Sequence, residues 1–228
     1  MSPITFDIQP EISVILCTYN RAKYLNDCIE SVIKQTFENW ELVIVDDGSE
    51  DNSFEVIQPY IQKFNNIRYL KHQNRKLGLS KNAGIQASFG KYISFIDSDD
   101  TYKINHLESR WQYMQIHPEV DLIEGGFFSD EEVFVADYFQ VGKTINLREC
   151  VLGPTFLGKR KVFFELGGFH NIAYGEDTDF WERASKIFKT QKITEPQTYV
   201  YTRAESSITK TFICLLYTSD AADEEDSV

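Results

Sequence analysis

The sequence lacks the features that mark several broad classes of protein. No apolar run in its 228 residues approaches the ~20 residues of a membrane-spanning helix, and its first residues lack the basic and apolar segments of a signal peptide. Its cysteines have no CxxC spacing, which disfavours a zinc site or a disulfide framework. We therefore expect a cytoplasmic protein whose thiols are reduced, namely Cys17, Cys28, Cys150 and Cys214.

Motifs of several enzyme families are missing as well. There is no GxGxxG for a dinucleotide, no HExxH for zinc and no GxSxG for a serine nucleophile. The stretch 153–159 imitates a P-loop, but Arg160 stands where that motif requires Ser or Thr. These absences disfavour dehydrogenases, zinc peptidases, serine hydrolases and P-loop nucleotidases.

Basic residues are in the minority, because 23 Lys and Arg face 35 Asp and Glu, for a net charge of −12. This balance argues against nucleic acid as a partner. Part of the acidity comes from the last residues, where Cys214–Glu224 resembles a translated sequencing adaptor. We therefore expect the natural sequence to be cut near Ile213, with a truncated end and non-native tail over 206–228; the alternative is a genuine acidic tail.

Short apolar runs alternate with amphipathic segments in the first hundred residues. The periodicity predicts strands over 12–17, 41–45, 67–70 and 92–96, and helices over 20–35, 54–61 and 79–88. Such alternation is typical of βαβ units. We therefore predict the α/β class, with a Rossmann-like, mostly parallel sheet flanked by helices in a single domain.

The pattern is less regular after Asp100. It predicts helices over 105–117, 161–166 and 177–188 and strands over 120–124 and 155–157, and leaves 127–141 unassigned. No repeat or linker interrupts the chain. We therefore expect an extension at 1–10 and one domain over 11–205, with a nucleotide-binding half at about 11–100 and an acceptor half at about 101–205.

Polar clusters follow three predicted strands, at the point where each strand ends. Because parallel strands bring their carboxyl ends to one edge of the sheet, and ligands of such sheets bind at that edge, we expect one site there. Its candidate members are Thr18, Tyr19 and Asn20, then Asp46 and Asp47, then Asp97, Ser98, Asp99 and Asp100.

The residue types at this edge suit a nucleotide and a cation. Carboxylates such as Asp97 and Asp99 are ligands for Mg²⁺ or Mn²⁺ together with substrate phosphates, although a solvated acidic turn is the alternative. Asp47 could accept the N3–H of uracil, and Tyr19 offers a ring for stacking. Lys81, which opens a helix at the same edge with Asn82 beside it, could contact the base or the phosphates.

A second acidic pair, Glu176 and Asp177, begins a later helix. Acids suit the first turn of a helix for dipole reasons alone. However, this pair ends a glycine-rich aromatic loop over 167–175, which suits a wall around a sugar. A carboxylate there could act as a general base towards a bound hydroxyl.

Three stretches together resemble the inverting GT-A glycosyltransferases of family 2, over residues 11–205. They are SVILCTYNRAKYLNDCIESVIKQTFENWELVIVDDGSEDNS, GLSKNAGIQASFGKYISFIDSDD and GGFHNIAYGEDTDFW. The resemblance implies a GT-A fold, a nucleotide-sugar donor, a divalent cation (Mg²⁺ or Mn²⁺) and direct displacement at the anomeric carbon. His170 departs from the family pattern, where an acid often follows Gly-Gly-Phe.

The resemblance also assigns roles to individual residues. It implies base stacking for Tyr19, a uracil contact for Asp47, the DxD metal and ribose motif for Asp97 and Asp99, and the catalytic base for Asp177. We accordingly expect a catalytic pair of Asp177 and Glu176, metal ligation by Asp99 and Asp97, and donor contacts from Thr18, Tyr19, Asn20, Asp47, Lys81, Asp97 and Ser98.

Two other functions stay open from the sequence. A non-catalytic nucleotide-sugar-binding module would keep the donor site without transfer. A sugar-phosphate nucleotidyltransferase would want a glycine-rich phosphate loop after the first strand, and residues 17–21 contain no glycine. For a transferase in surface polysaccharide synthesis, we expect a glycan or lipid-linked acceptor, and peripheral association with the inner face of the membrane through C-terminal residues absent from this sequence.

Overall fold

Strands and helices alternate through the first half of the computed structural model, which describes residues 9–140 and 142–204. Each strand and helix predicted for this half is present, with small differences at its ends. The elements are β1 (Ile12–Thr18), α1 (Ala22–Ile33), β2 (Trp40–Asp46), α2 (Ser53–Lys63), β3 (Ile67–Lys71), α3 (Leu77–Ala87) and β4 (Tyr92–Asp97).

The second half adds shorter elements. They are β5 (Thr101–Tyr102), α4 (His106–Ile116), β6 (Leu122–Gly125), β7 (Phe127–Phe128), β8 (Phe134–Ala136), β9 (Thr144–Asn146), β10 (Leu157–Lys159), α5 (Arg160–Glu165), α6 (Glu176–Ser185), β11 (Thr190–Ile193) and β12 (Tyr199–Val200), with 3-10 turns at Leu147–Glu149 and Gly153–Thr155.

The main sheet has seven strands in the order β11-β6-β10-β4-β1-β2-β3. Only β10 runs antiparallel to its neighbours β4 and β6, so the sheet is mostly parallel, and the predicted α/β class is confirmed. The register sets Thr18 opposite Asp46 and Cys17 opposite Asp97. The polar residues that follow β1, β2 and β4 therefore start from one edge.

Helices cover both faces of this sheet, which explains why every residue of β1 and β2 is buried. Alternate residues of a strand point to opposite faces. Val14 and Leu16 accordingly pack in one core with α1, α2 and α4, while Ile15 packs in a second core with α3, α5 and α6. These two cores hold the carboxyl edge of the sheet in place.

The strand predicted over 155–157 is wrong in its position. Thr155 ends a 3-10 turn instead: its hydroxyl donates to the carbonyl of Leu152 at 2.7 Å and accepts from the amide of Gly125 at 2.8 Å. Pro154 has no backbone N–H that could donate to a neighbouring strand at this point. The strand begins at Leu157, and the helix predicted to reach Phe188 ends at Ser185.

Part of the segment left unassigned from sequence forms a hairpin. β8 pairs with β9, and a separate three-stranded sheet has the order β5-β12-β7. No helix within residues 9–140 and 142–204 combines the length and the apolar character needed to cross a membrane. The adaptor-like tail and residues 1–8 lie outside the described residues.

Candidate active site

One cavity of about 1040 Å³ lies at the carboxyl ends of β1, β2 and β4 and is closed on its far side by the second half of the chain. It brings together residues up to 185 positions apart, from Cys17 to Thr202. Asn20, Asp46 and Asn82, which the sequence also placed at this edge, do not line it. The predicted residues that line it are Thr18, Tyr19, Asp47, Lys81, Asp97, Ser98, Asp99, Asp100, Glu176 and Asp177.

Three acids lie at the end of β4 and in the turn that follows: Asp97 and Asp99 are half-buried, and Asp100 is buried. The pKa of Asp97 is raised to about 7, chiefly by burial, with Lys81 lowering it and Asp99 adding to the rise. Burial also raises the pKa of Asp99, against the lowering effect of Arg21. Asp100 is held differently, because its carboxylate accepts hydrogen bonds from the hydroxyl of Tyr199 and from a backbone amide. All three acids line the cavity, and Asp97 and Asp99 are the better candidates for a ligand because the carboxylate of Asp100 already accepts these two bonds.

The carboxylate of Asp47 lies at the end of β2 and is fixed by backbone donors. Its two oxygens accept from the amides of Arg75, at 2.7 Å, and Lys76, at 3.0 Å. Nδ1 of His72 lies 3.3 Å from one of them. Each carboxylate oxygen has more than one acceptor position, so Asp47 can still accept a further N–H from a ligand.

The residues at the end of β1 and directly after it have different surroundings: some line the cavity, and one binds the neighbouring loop. Tyr19 is 47% exposed and lines the cavity, while the buried hydroxyl of Thr18 has no hydrogen-bond partner among residues 9–140 and 142–204. Asn20 instead holds the neighbouring loop: its Oδ1 accepts from the amides of Glu50, at 2.8 Å, and Asp51, at 3.3 Å. The sequence-based grouping of Asn20 with the donor contacts stays a prediction that its placement does not favour.

Lys81 and Asn82, adjacent on α3, have different surroundings. Lys81 is buried, and its Nζ lies 2.8 Å from Oε1 of Glu176. Asn82 pairs with both backbone groups of Phe169, donating to the carbonyl and accepting from the amide, each at 2.8 Å. Asn82 therefore anchors the loop before α6, and Lys81 anchors α6 itself.

The acidic pair that begins α6 is held by its backbone surroundings. Gly175 precedes the helix with φ of 77°, a left-handed conformation that favours glycine. The carboxylate of Asp177 accepts from the amides of Gly153, at 3.0 Å, and Thr178, at 2.8 Å. Burial and Glu176 raise the pKa of Asp177 to about 6. Burial by itself would raise the pKa of Glu176 as well. The positive charge of Lys81 outweighs the effect of burial, so the pKa of Glu176 is lowered.

Aromatic packing holds the loop 167–175 against the sheet. The ring of Phe169 stacks on Phe180 of α6 at 4.6 Å and meets Phe95 of β4 edge-on at 5.5 Å. Nδ1 of His170, which departs from the family pattern, lies 3.0 Å from Oδ2 of Asp179 and outside the cavity lining. The loop thus forms a wall of the cavity whose position depends on buried rings.

The described residues contain no cluster of three or more His, Cys, Asp or Glu side chains that could bind a metal by themselves. Asp97 and Asp99 nevertheless supply hard oxygen donors in a partly dehydrated acidic turn. Their pKa values are raised, and a bound cation would lower them. Mg²⁺ commonly takes one or two carboxylates and completes its shell with water and substrate phosphates. These two residues fit a divalent cation of that kind.

Several lining residues were not identified from the sequence. Gly153 does not line the cavity but was missed as well, since its contact with Asp177 spans 24 positions and no local pattern encodes it. The missed lining residues with charged or aromatic side chains are exposed or half-buried, and they lie in loops and turns, in α6 and in β11. They include Arg21, Lys76, Tyr138, Glu149, Trp181, Glu182, Lys192 and Tyr201.

Sequence comparison identifies relatives of this chain. A family model described as Glycosyl transferase family 2 matches residues 13–148. Glycosyltransferase GlyG of Streptococcus pneumoniae serotype 4 is 32% identical, over 93% of this chain and 77% of the relative. The uncharacterized glycosyltransferase EpsJ of Bacillus subtilis is 25% identical, over 88% of this chain and 63% of that protein.

Solved structures with the same fold carry nucleotide sugars. S. aureus TarS 1–349 in complex with UDP-GlcNAc superposes with a TM-score of 0.70 at 21% identity, over 88% of this chain and 61% of TarS 1–349. The mannosyltransferase PcManGT from Pyrobaculum calidifontis, in complex with GDP-Man and Mn²⁺, gives 0.70 at 16% identity, over 89% and 59%. The present chain thus spans about three fifths of these two structures, and the likeness establishes the fold.

Proposed function

Because the chain belongs to glycosyl transferase family 2, we propose that it transfers a sugar from a nucleotide-diphosphate donor to an acceptor hydroxyl with inversion at the anomeric carbon. The observation that carries this proposal is one cavity lined by two separate acidic groups: Asp97 and Asp99 after β4, and Asp177 at the start of α6. The first group suits a cation and a diphosphate, and the second suits removal of a proton.

The donor is a nucleoside diphosphate sugar, with UDP favoured. Tyr19 is exposed at the end of β1 and presents a ring on which a base can stack. Asp47 retains acceptor capacity towards the N3–H of uracil while two backbone amides hold it in place. UDP-GlcNAc bound to TarS is consistent with this choice, whereas PcManGT carries GDP-Man.

Asp99 and Asp97 are the residues that would hold a divalent cation, Mg²⁺ or Mn²⁺, in a DxD arrangement. When bound, the cation would neutralise charge on the departing diphosphate. The chain's own contribution is an acidic turn that is already half-buried before ligands arrive. The Mn²⁺ bound to PcManGT supports a divalent cation in this fold.

Asp177 acts as the general base, with Glu176 beside it. Its pKa of about 6 leaves the carboxylate ionised at neutral pH yet basic enough to accept a proton in the transition state. The acceptor oxygen bonds to the anomeric carbon as the bond to the diphosphate oxygen breaks. The hydroxyl proton passes to Asp177, and the diphosphate leaves with the electron pair, so inversion needs no enzyme nucleophile.

The acceptor is a glycan or a lipid-linked saccharide, in keeping with synthesis of a surface polysaccharide or glycoconjugate. Aromatic and polar side chains from the hairpin β8–β9 and from α6 line this side of the cavity, among them Tyr138 and Trp181. Rings of this kind pack against the apolar faces of sugars. Transfer at the cytoplasmic face of a membrane, with the protein associated peripherally, fits a lipid-linked acceptor.

The proposal is tested by donor binding and transfer. UDP and GDP sugars are screened by thermal shift with and without Mn²⁺, and transfer is then followed by nucleoside diphosphate release with a saccharide panel. We expect UDP sugars to stabilise the protein only with Mn²⁺, and Asp177→Asn to keep donor binding but lose transfer. Asp179→Asn, on the same helix but outside the cavity lining, is the matched control and should retain transfer.

Each part of the proposal can fail separately. Equal donor binding in excess EDTA would contradict the role of Asp97 and Asp99. Retained transfer by Asp177→Asn would remove Asp177 as the base. Donor binding by the wild type without transfer or donor hydrolysis would favour the nucleotide-sugar-binding module instead.

A further inference from the structure

Lys81 is unusually buried for a lysine, with a side chain that is 3% exposed. Its Nζ lies 2.8 Å from Oε1 of Glu176 and 5.0 Å from the ring centre of Phe169. Lysines are almost never fully buried unless they are paired. The ammonium group of α3 is therefore engaged with the first turn of α6.

A third segment closes on the same place. Gly153, in the 3-10 turn before β10, donates its amide to Asp177. A Cβ at this position would lie 2.7 Å from Cβ of Asp177 and 3.4 Å from Nζ of Lys81. Only a glycine lets this turn, α3 and α6 approach so closely, and the ammonium of Lys81 lies at the junction of the three.

The charges at this junction oppose one another. Adjacent carboxylates at Glu176 and Asp177 repel, and each raises the free energy of ionising the other. Burial disfavours the charge on Lys81, but Glu176, Asp97 and Asp177 outweigh it and raise the lysine's pKa above its ordinary value. In return, Lys81 lowers the pKa of both Glu176 and Asp177. Lys81 is thus a permanent cation inside the acidic site.

We propose that Lys81 is a positioning residue for the general base: its ion pair with Glu176 holds the first turn of α6 against α3 and keeps the Asp177 carboxylate ionised. This inference rests on the proposed function. It gives Lys81 a different task from the base or phosphate contact expected from the sequence.

Other titratable groups also act on Asp177 and enter the design of a test. Glu176 precedes it on α6, and Lys81 faces it from α3. The remaining groups lie on β4, on β6 and in the loops beside the 3-10 turn and α6, and they are left unchanged in every variant below: Asp97, Glu124, Cys150 and Tyr174.

The test compares pH profiles of kcat/KM for the wild type, Lys81→Met, Lys81→Arg, Glu176→Gln and the Lys81→Met/Glu176→Gln double variant. We expect a wild-type acid limb near pH 6. Loss of the cation should move this limb up by roughly 1–3 pH units, Lys81→Arg should restore it, and the double variant should return towards the wild type. Donor KM should change little.

If Lys81 instead contacts the donor, the opposite result is expected for donor KM and for the acid limb. Donor KM would rise in both Lys81→Met and the double variant while the acid limb stays in place, and that result would overturn the inference. Lys34→Met removes an exposed ion pair of 3.3 Å with Glu30 and serves as the control, since exposed pairs contribute little. Thermal unfolding of each variant confirms that a folded protein is being compared.

A second readout separates this inference from the proposed function. The carboxylate of Asp177 is titrated by ¹³C NMR in the protein without donor or metal, for the wild type and Lys81→Met. A higher pKa in Lys81→Met supports the inference even if transfer were absent, in which case the proposed function alone would fail. If the wild type transfers sugar but Lys81→Met changes neither the pKa of Asp177 nor the acid limb of the pH profile, the inference is overturned and the proposed function stands.

Discussion

The backbone amide of Gly153 donates a hydrogen bond of 3.0 Å to Oδ2 of Asp177, the carboxylate proposed to act as base. The second oxygen accepts from the amide of Thr178 at 2.8 Å. Both oxygens keep a further acceptor position for a hydroxyl. The side chain is thus oriented by main-chain donors before an acceptor arrives, and its orientation depends on how closely the turn at Gly153 approaches.

The first prediction is that Gly153→Ala reduces transfer more than it reduces donor binding. The new methyl group would lie 2.7 Å from Cβ of Asp177, and overpacking of this kind typically costs about 1–3 kcal/mol. We expect kcat to fall while the donor dissociation constant stays close to that of the wild type. Steady-state kinetics with direct donor titration measure the two; equal losses in both would contradict local displacement of the base.

The second prediction concerns stability against pH in the protein without metal. Because the pKa of Asp97 is about 7 in the folded protein and 3.8 ordinarily, the folded state binds the extra proton between these values. The stability that this group contributes is present at low pH and is lost as pH rises through that window. Asp97→Asn should therefore gain Tm relative to the wild type from about pH 4 to about pH 7.

The measurement is the Tm difference between Asp97→Asn and the wild type across that range in EDTA. Asp27→Asn, an exposed position on α1, is the control and should give a flat difference. A flat difference for Asp97→Asn as well would show that burial does not penalise its charge.

The third prediction is that Asp99→Asn removes the dependence of donor binding on Mn²⁺. An amide keeps one neutral oxygen but loses the charge that a hard divalent cation needs. We expect the thermal shift from UDP with Mn²⁺ to fall to that seen with UDP in EDTA. A full Mn²⁺-dependent shift in Asp99→Asn would assign the cation elsewhere.

The fourth prediction concerns the charge of the acceptor. The side of the cavity proposed to bind the acceptor carries Asp137, Glu149 and Glu182, and Lys192 on this side lies 3.6 Å from Glu124. Like charges brought together cost several kcal/mol, so neutral sugars should be preferred over uronic acids by roughly tenfold or more.

Transfer rates to matched glucoside and glucuronide acceptors measure this preference. The Glu149→Gln/Glu182→Gln double variant should narrow the ratio, and Glu165→Gln on the exposed face of α5 should leave it unchanged. Faster transfer to the glucuronide would show that the acidic side does not select the acceptor.

The fifth prediction is that Asn82→Ala destabilises the protein by about 1–3 kcal/mol. The substitution leaves the amide and carbonyl of Phe169 without the partners that hold them at 2.8 Å. Denaturant unfolding measures the loss. Asn26→Ala, whose side chain accepts one exposed bond of 3.2 Å from Tyr60, is the control and should cost much less.

Local periodicity was sufficient for the first half of the fold. The apolar runs at 12–18 and 40–46 are long, bounded by turn residues and buried on both faces, so propensity and environment agree. The second half was harder because its strands are two to four residues long and, apart from the hairpin β8–β9, owe their pairing to distant partners. Thr155 illustrates the point, since hydrogen bonds to Leu152 and Gly125 draw it into a turn.

The sequence alone determined the family, the α/β class and the identity of the acids at the strand ends, because these depend on local pattern and short motifs. Only the tertiary structure decided that Lys81 pairs with Glu176 and that Gly153 supports Asp177. It also turned Asn82 towards Phe169 and Asn20 towards a loop. Such contacts join residues far apart in the chain, and burial selects them through packing and charge balance that no local pattern records.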